Sequence, residues 1–154
     1  MSAVWAGNGI AARWGRAVLT NSGMDTTLIE QTAQATAAGT LPFPAVVERL
    51  IAAGVEYYHV DYVRREKTCY SAGGEAHAVP LGFGVPAVAM DFDATALIAA
   101  IRDSQLRGQK YPEFSARATQ AGVQGYTAFL RGKRVIYQGR QGDEHTEGFP
   151  GARP

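Results

Sequence analysis

The chain has 154 residues, of which 46% are hydrophobic, and this is enough for one domain with a substantial core. Its formal net charge of +1 excludes the strongly basic balance that nucleic acid or an anionic membrane surface attracts. The single cysteine, Cys69, excludes an internal disulfide framework and favours a reducing compartment, so we expect a cytoplasmic protein.

Residues 1–23 are predicted to be a flexible N-terminal extension. Arg13 and Arg16 interrupt the apolar stretch that a signal peptide needs, and Asn-Gly and Asn-Ser-Gly breaks flank them. Nowhere does the sequence approach the roughly 18 consecutive apolar residues of a membrane span, so no membrane partner is expected. Met24 is a suitable start for the folded domain, which we place at 24–150, with 151–154 as a tail.

The first unit begins with two helices. Asp25 or Thr26 can cap the first helix, which ends before Gly39. The second helix starts at Pro44, since proline is tolerated in a first turn, and ends at Gly54, which suits a left-handed C-terminal cap. A hairpin rich in Tyr, Val and Thr follows, and a short third strand completes the unit. These strands are predicted at 55–63, 67–72 and about 77–81.

The second unit follows a linker at 80–86 and repeats this order. Its first helix runs from about Ala94, with Asp93 as cap, and ends before Gly108. A helix from Pro112 then ends at Gly122. The remaining strands are predicted at 123–130, 134–139 and about 146–149.

The two units also repeat each other residue by residue, which predicts an internally duplicated domain with repeats at about 24–81 and 93–149. The shift between them is 68 residues over most of the alignment. Around Tyr70 and Tyr137 we predict a shift of 67, because the second hairpin is taken to be one residue shorter. On that alignment Cys69 stands where Ile136 stands in the second copy, which indicates a small buried hydrophobe rather than a nucleophile. The other identical pairs are Pro44/Pro112, Arg49/Arg117, Ala53/Ala121, Gly54/Gly122, Val55/Val123, Tyr58/Tyr126, Gly74/Gly142 and His77/His145.

These elements predict an α+β fold built from two helix–helix–hairpin units. We expect antiparallel strands from both units, helices mainly on one face of the sheet, and a pseudo-twofold relation between the copies. Because side chains alternate along a strand, Tyr58, Val60 and Tyr62 are predicted to face the helices.

The repeated histidine corners are the first candidate site. Glu75 precedes His77 by two residues, and Asp143 precedes His145 by two, each just after a glycine turn. Two histidines with carboxylates could form a metal site or an acid–base pair. The same residues could equally hold the start of each third strand, and duplication favours that structural role. Two histidines without a third ligand are too few for zinc, so no metal is predicted.

The second candidate is the strand face that points away from the helices. Tyr57, His59 and Asp61 alternate on it, and they could bind a partner or share a proton between His59 and Asp61. The other copy has Gly, Thr and Phe at these places, so the feature is specific to one unit. An ordinary solvated face is the alternative.

Several catalytic and cofactor motifs are missing from the sequence. It has no phosphate-binding glycine loop, no Gly-x-Ser-x-Gly elbow, no paired-cysteine metal knuckle and no His-Glu-x-x-His. Catalytic residues are therefore left unassigned, and no cofactor is expected.

The combined motifs resemble a bacterial family. Phe43–Asp61 reads Phe-Pro-x-x-Val-x-x-Leu-x-x-Ala-Gly-Val-x-x-Tyr-x-Val-Asp, and Gly-Glu-x-His follows at 74–77. Tyr-Pro-Glu-Phe at 111–114 and Gly-Asp-Glu-His at 142–145 continue the pattern. Residues 24–150 thereby resemble the YdfO-like bacterial and prophage proteins labelled "phage envelope protein", a domain of unknown function. The resemblance implies an α+β fold and a prophage connection, and it brings no established activity.

Together these observations predict a small soluble module that binds a protein or a small ligand without catalysis. A homodimer through a sheet edge is an open alternative for its assembly. Two other functions stay open, namely a small metal-dependent enzyme using the acid-x-His corners and a minor structural phage component. A deep pocket collecting the histidines and carboxylates would favour the enzyme, whereas an exposed apolar patch or open sheet edge would favour the interaction module.

Overall fold

The computed structural model of this chain describes residues 23–150. The predicted extension lies outside the described residues except for Gly23, and so does the predicted tail. Helices α1 to α4 span Thr26–Ala37, Phe43–Ala52, Ala94–Leu106 and Tyr111–Gln120. Strands β1 to β6 span Val55–Asp61, Glu66–Ser71, Ala76–Pro80, Val123–Phe129, Arg134–Gly139 and Glu144–Gly148.

All six strands form one antiparallel sheet in the order β3-β2-β1-β4-β5-β6. Strands β1 and β4 lie side by side at its centre, and β3 and β6 form its two edges. Four helices with one antiparallel sheet confirm the predicted α+β class. None of the helices within residues 23–150 is both long and apolar enough to cross a membrane.

The helix ends follow from local sequence. The carboxylates of Asp25 and Asp93 each accept a hydrogen bond of 3.0 Å from a backbone N–H three residues on, which confirms both predicted caps. Helices α2 and α4 each carry proline in the first turn. Gly54 and Gly122 follow them with φ of 89° and 90°, the left-handed backbone expected of a terminating glycine.

The two halves of the domain have the same element order and meet symmetrically at the centre of the sheet. Each half contributes two helices and three strands, in that order. His59 on β1 lies directly opposite Thr127 on β4, and these residues are 68 positions apart. This separation equals the repeat shift, so a local twofold relation passes between them. That the halves arose by duplication stays a prediction, as does the placement of the helices mainly on one face.

The predicted change of shift to 67 is wrong. Cys69 lies opposite Tyr58 on β1, and Tyr137 lies opposite Tyr126 on β4, so Cys69 corresponds to Tyr137 and not to Ile136. The reason is that residues 62–65 and 130–133 form loops of equal length between the paired strands. The predicted burial of Cys69 is confirmed, since its exposed fraction is 0%.

The core lies between helices and sheet. Tyr58, Val60 and Tyr62 are buried as the alternation predicts, whereas the alternate residues of β1 are only half-buried. They pack in one cluster with buried side chains from all four helices, chiefly Ile29, Val46, Val47, Leu50, Leu97, Ile101, Phe114 and Ala118. This packing orients the inward side chains of the strands toward the helices, where a pocket remains.

Candidate ligand-binding pocket

The structure places the two repeated histidines far apart. His77 lies on edge strand β3 and His145 on the opposite edge strand β6. Five inter-strand spacings separate these strands, which is roughly 24 Å. The two histidines therefore cannot bind one metal ion or act on one substrate.

Each histidine has an acidic partner, but not the acid predicted from its motif. His77 Nε2 lies 3.1 Å from Glu30 Oε2 on α1, and His145 Nε2 lies 3.0 Å from Glu147 Oε1 on the same strand. Glu75 and Asp143 are exposed instead. Within residues 23–150, no group of three or more His, Cys, Asp or Glu side chains could hold a metal ion. These contacts favour the structural role for both corners.

Replacing His77 or His145 with Gln is expected to cost about 1 kcal/mol or less of folding free energy in each case, because each partly exposed contact contributes little. His145 should give the larger loss, since its ring also stacks on Tyr137 with centroids 6.4 Å apart. Urea unfolding of the two single variants and the double variant measures this. The losses should add, because the sites are distant and independent. A double variant that loses much less than the sum would contradict separate roles.

The second candidate set lies on the half-buried face of β1. His59 Nδ1 lies 2.9 Å from Thr127 Oγ1, and Tyr57 stacks between two aromatic rings of neighbouring strands. Asp61 Oδ1 accepts hydrogen bonds from the backbone N–H groups of Val63 and Arg64, which shape the hairpin turn. His59 and Asp61 thus have separate partners, and the arrangement does not join them as a proton pair.

A pocket of about 300 Å³ opens between the helices and the inward face of the sheet. It is bounded by the α1–α2 loop, the α3–α4 loop and the chain just after β6. Most of its walls are apolar or aromatic. The wall residues most relevant here are Val46, Tyr58, Ile101, Tyr111, Phe114, Tyr126, Val135 and Tyr137. Such a volume lies at the lower end of the range for small-molecule sites.

Lys67 is the unexpected member of this lining. It lies on β2 opposite Val60, so its side chain shares the inward face with the core residues. Only 7% of its surface is exposed. Its Nζ lies 4.3 Å from the centroid of the Tyr58 ring, a favourable position for a cation over an aromatic face. Burial lowers the pKa of its ammonium group, and the nearby Cys69 thiol partly opposes that shift.

The ammonium group of Lys67 has no acceptor among residues 23–150. Among residues 23–150, no hydrogen bond or ion pair reaches its Nζ. Buried lysines are normally paired, because an uncompensated charge in an apolar environment is strongly unfavourable. The pocket therefore presents one unsatisfied positive charge in largely apolar walls.

Tyrosine hydroxyls supply most of the remaining polarity. Burial is the largest cause that raises the pKa of Tyr58, Tyr111, Tyr126 and Tyr137 above the ordinary range, so these phenols stay neutral at physiological pH. The hydroxyls of Tyr111 and Tyr126 are hydrogen-bonded to each other. Neutral phenols can donate to a ligand but cannot balance the charge of Lys67.

Glu147 is the carboxylate that lines the pocket, and it lies at the opposite end from Lys67. Strands β2 and β6 are four inter-strand spacings apart, roughly 19 Å. The side chain of Glu147 is 16% exposed and bonds to both Arg102 and His145. Because Arg102 and His145 already compensate its charge, Glu147 does not need a cationic ligand.

The sequence-based search missed this pocket, although a signal was present. Lys67 occupies an inward position of a strand whose other inward residue is the buried Cys69. Its counterpart in the second half is Val135, because Lys67 lies opposite Val60 and Val135 lies opposite Ala128. With the shift of 67 predicted for this hairpin, Lys67 would match Arg134, so the lysine–valine difference is seen only once the strand register is known.

No family model matches the sequence, and no curated protein matches it. The resemblance to YdfO-like proteins and the prophage connection therefore rest on the motifs alone and stay predictions.

Proposed function

We propose that this protein is a non-catalytic binding module that takes a small, largely apolar ligand into the pocket between its helices and sheet. The observation that carries the proposal is a cavity of about 300 Å³ that contains the buried Lys67, which has no partner among residues 23–150. A cavity of this composition exposes apolar surface to water, and a ligand that filled it would gain the free energy of burying that surface.

The positions of the histidines and of Glu147 support binding over catalysis. None of the three histidines lines the pocket, and Glu147 is held by Arg102 and His145. A general acid or base must lie within hydrogen-bond reach of the proton that it moves. The imidazole groups that could perform that task lie outside the pocket, and the carboxylate that lines it is bound to other side chains.

The proposal is tested with a neutral fluorescent ligand, N-phenyl-1-naphthylamine, whose emission rises in an apolar environment. The full chain is expected to bind it saturably. Val135→Phe should fill the pocket and weaken binding by about 10-fold or more, because the new ring occupies the space of the ligand. Fluorescence titration gives both dissociation constants.

The matched control is Val63→Phe, since Val63 is 69% exposed and lies outside the pocket lining. It should bind the dye as the wild type does. Circular dichroism establishes that both variants are folded. Absence of saturable binding to the wild type, or equal binding by a folded Val135→Phe variant, would refute a ligand role for this pocket.

A further inference from the structure

We infer that the pocket binds an aromatic carboxylic acid and that Lys67 is the residue that binds its carboxylate. This inference rests on the proposed function, since it names the ligand class of the same pocket. It adds the chemical identity of the polar group and its position in the cavity.

The first observation in favour of a carboxylate is that Lys67 has no partner among residues 23–150. Its ammonium group carries three donors, and in the described part of the chain none of them meets an acceptor. Glu147 cannot compensate it, because that carboxylate lies at the other end of the pocket with Arg102 and His145. A bound carboxylate would supply both the countercharge and the acceptors, as a charge-assisted hydrogen bond.

The single buried positive charge of the pocket favours a ligand that carries one negative charge. Among residues 23–150, Lys67 is the one buried cation in the lining, and Lys110, the other lysine of the lining, is exposed. A phosphate monoester carries nearly two negative charges and is usually held by several donors or an arginine fork. A carboxylate carries one charge, which the single ammonium group balances.

The aromatic side chains of the pocket walls favour a ligand whose apolar part is an aromatic ring. The ring centroids of Tyr126 and Tyr137 lie 5.3 Å apart, and those of Phe114 and Tyr137 lie 6.2 Å apart, so rings continue along the cavity from Tyr58. Aromatic rings favour stacked or edge-on contacts with other rings. A ligand of one or two fused rings would find such contacts while its carboxylate reached Lys67.

The second half of the domain supplies an internal comparison. Val135 occupies the equivalent strand position and lines the same pocket. The fold thus accepts an apolar side chain at this register. Packing therefore does not require a lysine at this position. This is expected of a residue whose role is to bind a ligand.

The test compares 2-naphthoate with its neutral isostere 2-naphthamide on the full chain. Each competes with N-phenyl-1-naphthylamine, and each is also titrated directly by calorimetry. With the wild type, the acid is expected to bind about 10-fold or more tightly than the amide, since one charge-assisted contact distinguishes them. Lys67→Met should abolish that preference and leave the affinity for the amide within about 3-fold.

Lys110→Met is the matched control, because it removes the exposed lysine of the same lining and should preserve the preference. Lys67→Val is a second variant, chosen to match the equivalent valine, and should behave as Lys67→Met does. Equal affinity for acid and amide, or a preference that survives both Lys67 variants, would overturn the carboxylate assignment while the pocket itself still bound the dye. Failure of 2-naphthoate to bind the wild type at about 1 mM would overturn it whatever the dye does. Failure of the dye, acid and amide together would overturn the proposed function as well.

Discussion

Replacing Gly122 with Ala is expected to lower the free energy of unfolding by about 3 kcal/mol or more. The φ of Gly122 is 90°, a left-handed backbone in which any Cβ is strained. A Cβ there would also overlap the carbonyl oxygen of Asp91 and lie 2.9 Å from Phe92 Cα. These are backbone atoms of the segment that leads into α3, so they cannot move aside without shifting that helix. Urea denaturation followed by circular dichroism measures the loss.

Gly54→Ala is the matched control, because Gly54 holds the equivalent position with a φ of 89°. The nearest atom to its added Cβ would be 3.6 Å away, an ordinary contact. Only the backbone strain should then remain, about 1–2 kcal/mol. Equal losses for the two variants would show that the approach of residues 91–92 to Gly122 does not constrain the fold.

Lys67→Met is expected to raise the free energy of unfolding by about 1–2 kcal/mol at pH 7. The substitution keeps an unbranched chain in the cavity and removes an ammonium group that is desolvated and has no partner in the described part of the chain. The unliganded protein would thereby become more stable, whereas the proposed carboxylate preference would be lost. Denaturation of ligand-free wild type and variant measures the difference, and a destabilised Lys67→Met variant would contradict the unpaired state of Lys67.

The stability difference should also depend on pH. Burial lowers the pKa of Lys67 in the folded protein below the value of 10.5 for a free lysine. Between those two pKa values the lysine binds more protons in the unfolded chain, so the contribution of Lys67 to the free energy of unfolding rises with pH. The advantage of Lys67→Met is therefore full below the folded pKa of Lys67 and shrinks as pH rises toward 10.5.

The other titratable groups of the pocket and the neighbouring Cys69 do not reverse this trend. Burial raises the pKa of Cys69, Tyr58 and the remaining lining tyrosines, while Glu147 and Lys110 are present in wild type and variant alike. The contributions of the tyrosines, Glu147 and Lys110 largely cancel when the two proteins are compared at each pH. Lys67 partly opposes the raised pKa of Cys69, so in Lys67→Met the Cys69 contribution reduces the advantage of the variant further as pH rises. A stability difference that stayed constant from neutral pH to about pH 10 would contradict the lowered pKa of Lys67.

Local signals in the sequence were sufficient for the elements. Asp25 and Asp93 cap helices because a short carboxylate reaches the free N–H groups of a first turn, and this needs no tertiary partner. Gly54 and Gly122 end helices because only glycine enters the left-handed region without strain. The alternation of Tyr58, Val60 and Tyr62 likewise identified the buried face of β1.

Pairing between strands decided what local signals could not. The shift assigned to Tyr70 and Tyr137 was wrong because residue identity aligned two tyrosines, whereas the register aligns Tyr137 with Cys69. The histidine corners looked like one site in sequence, yet the strand order places them at opposite edges of the sheet. The register of each hairpin depends on the length of its turn, which residue identity does not reveal. Strand order depends on contacts between residues far apart in the chain, which no local pattern encodes.

The sequence by itself therefore determined the helices, the strands, their caps and the α+β class, since these follow from side-chain periodicity and from a few residues with special backbone preferences. Only the tertiary structure identified the polar residue on which the proposed binding depends. The alternation with Cys69 placed Lys67 on the inward face of β2, but only the packed structure shows that its side chain is buried. Its burial beside Tyr58, and the absence of an acceptor for it among residues 23–150, exist only after the two halves have packed together.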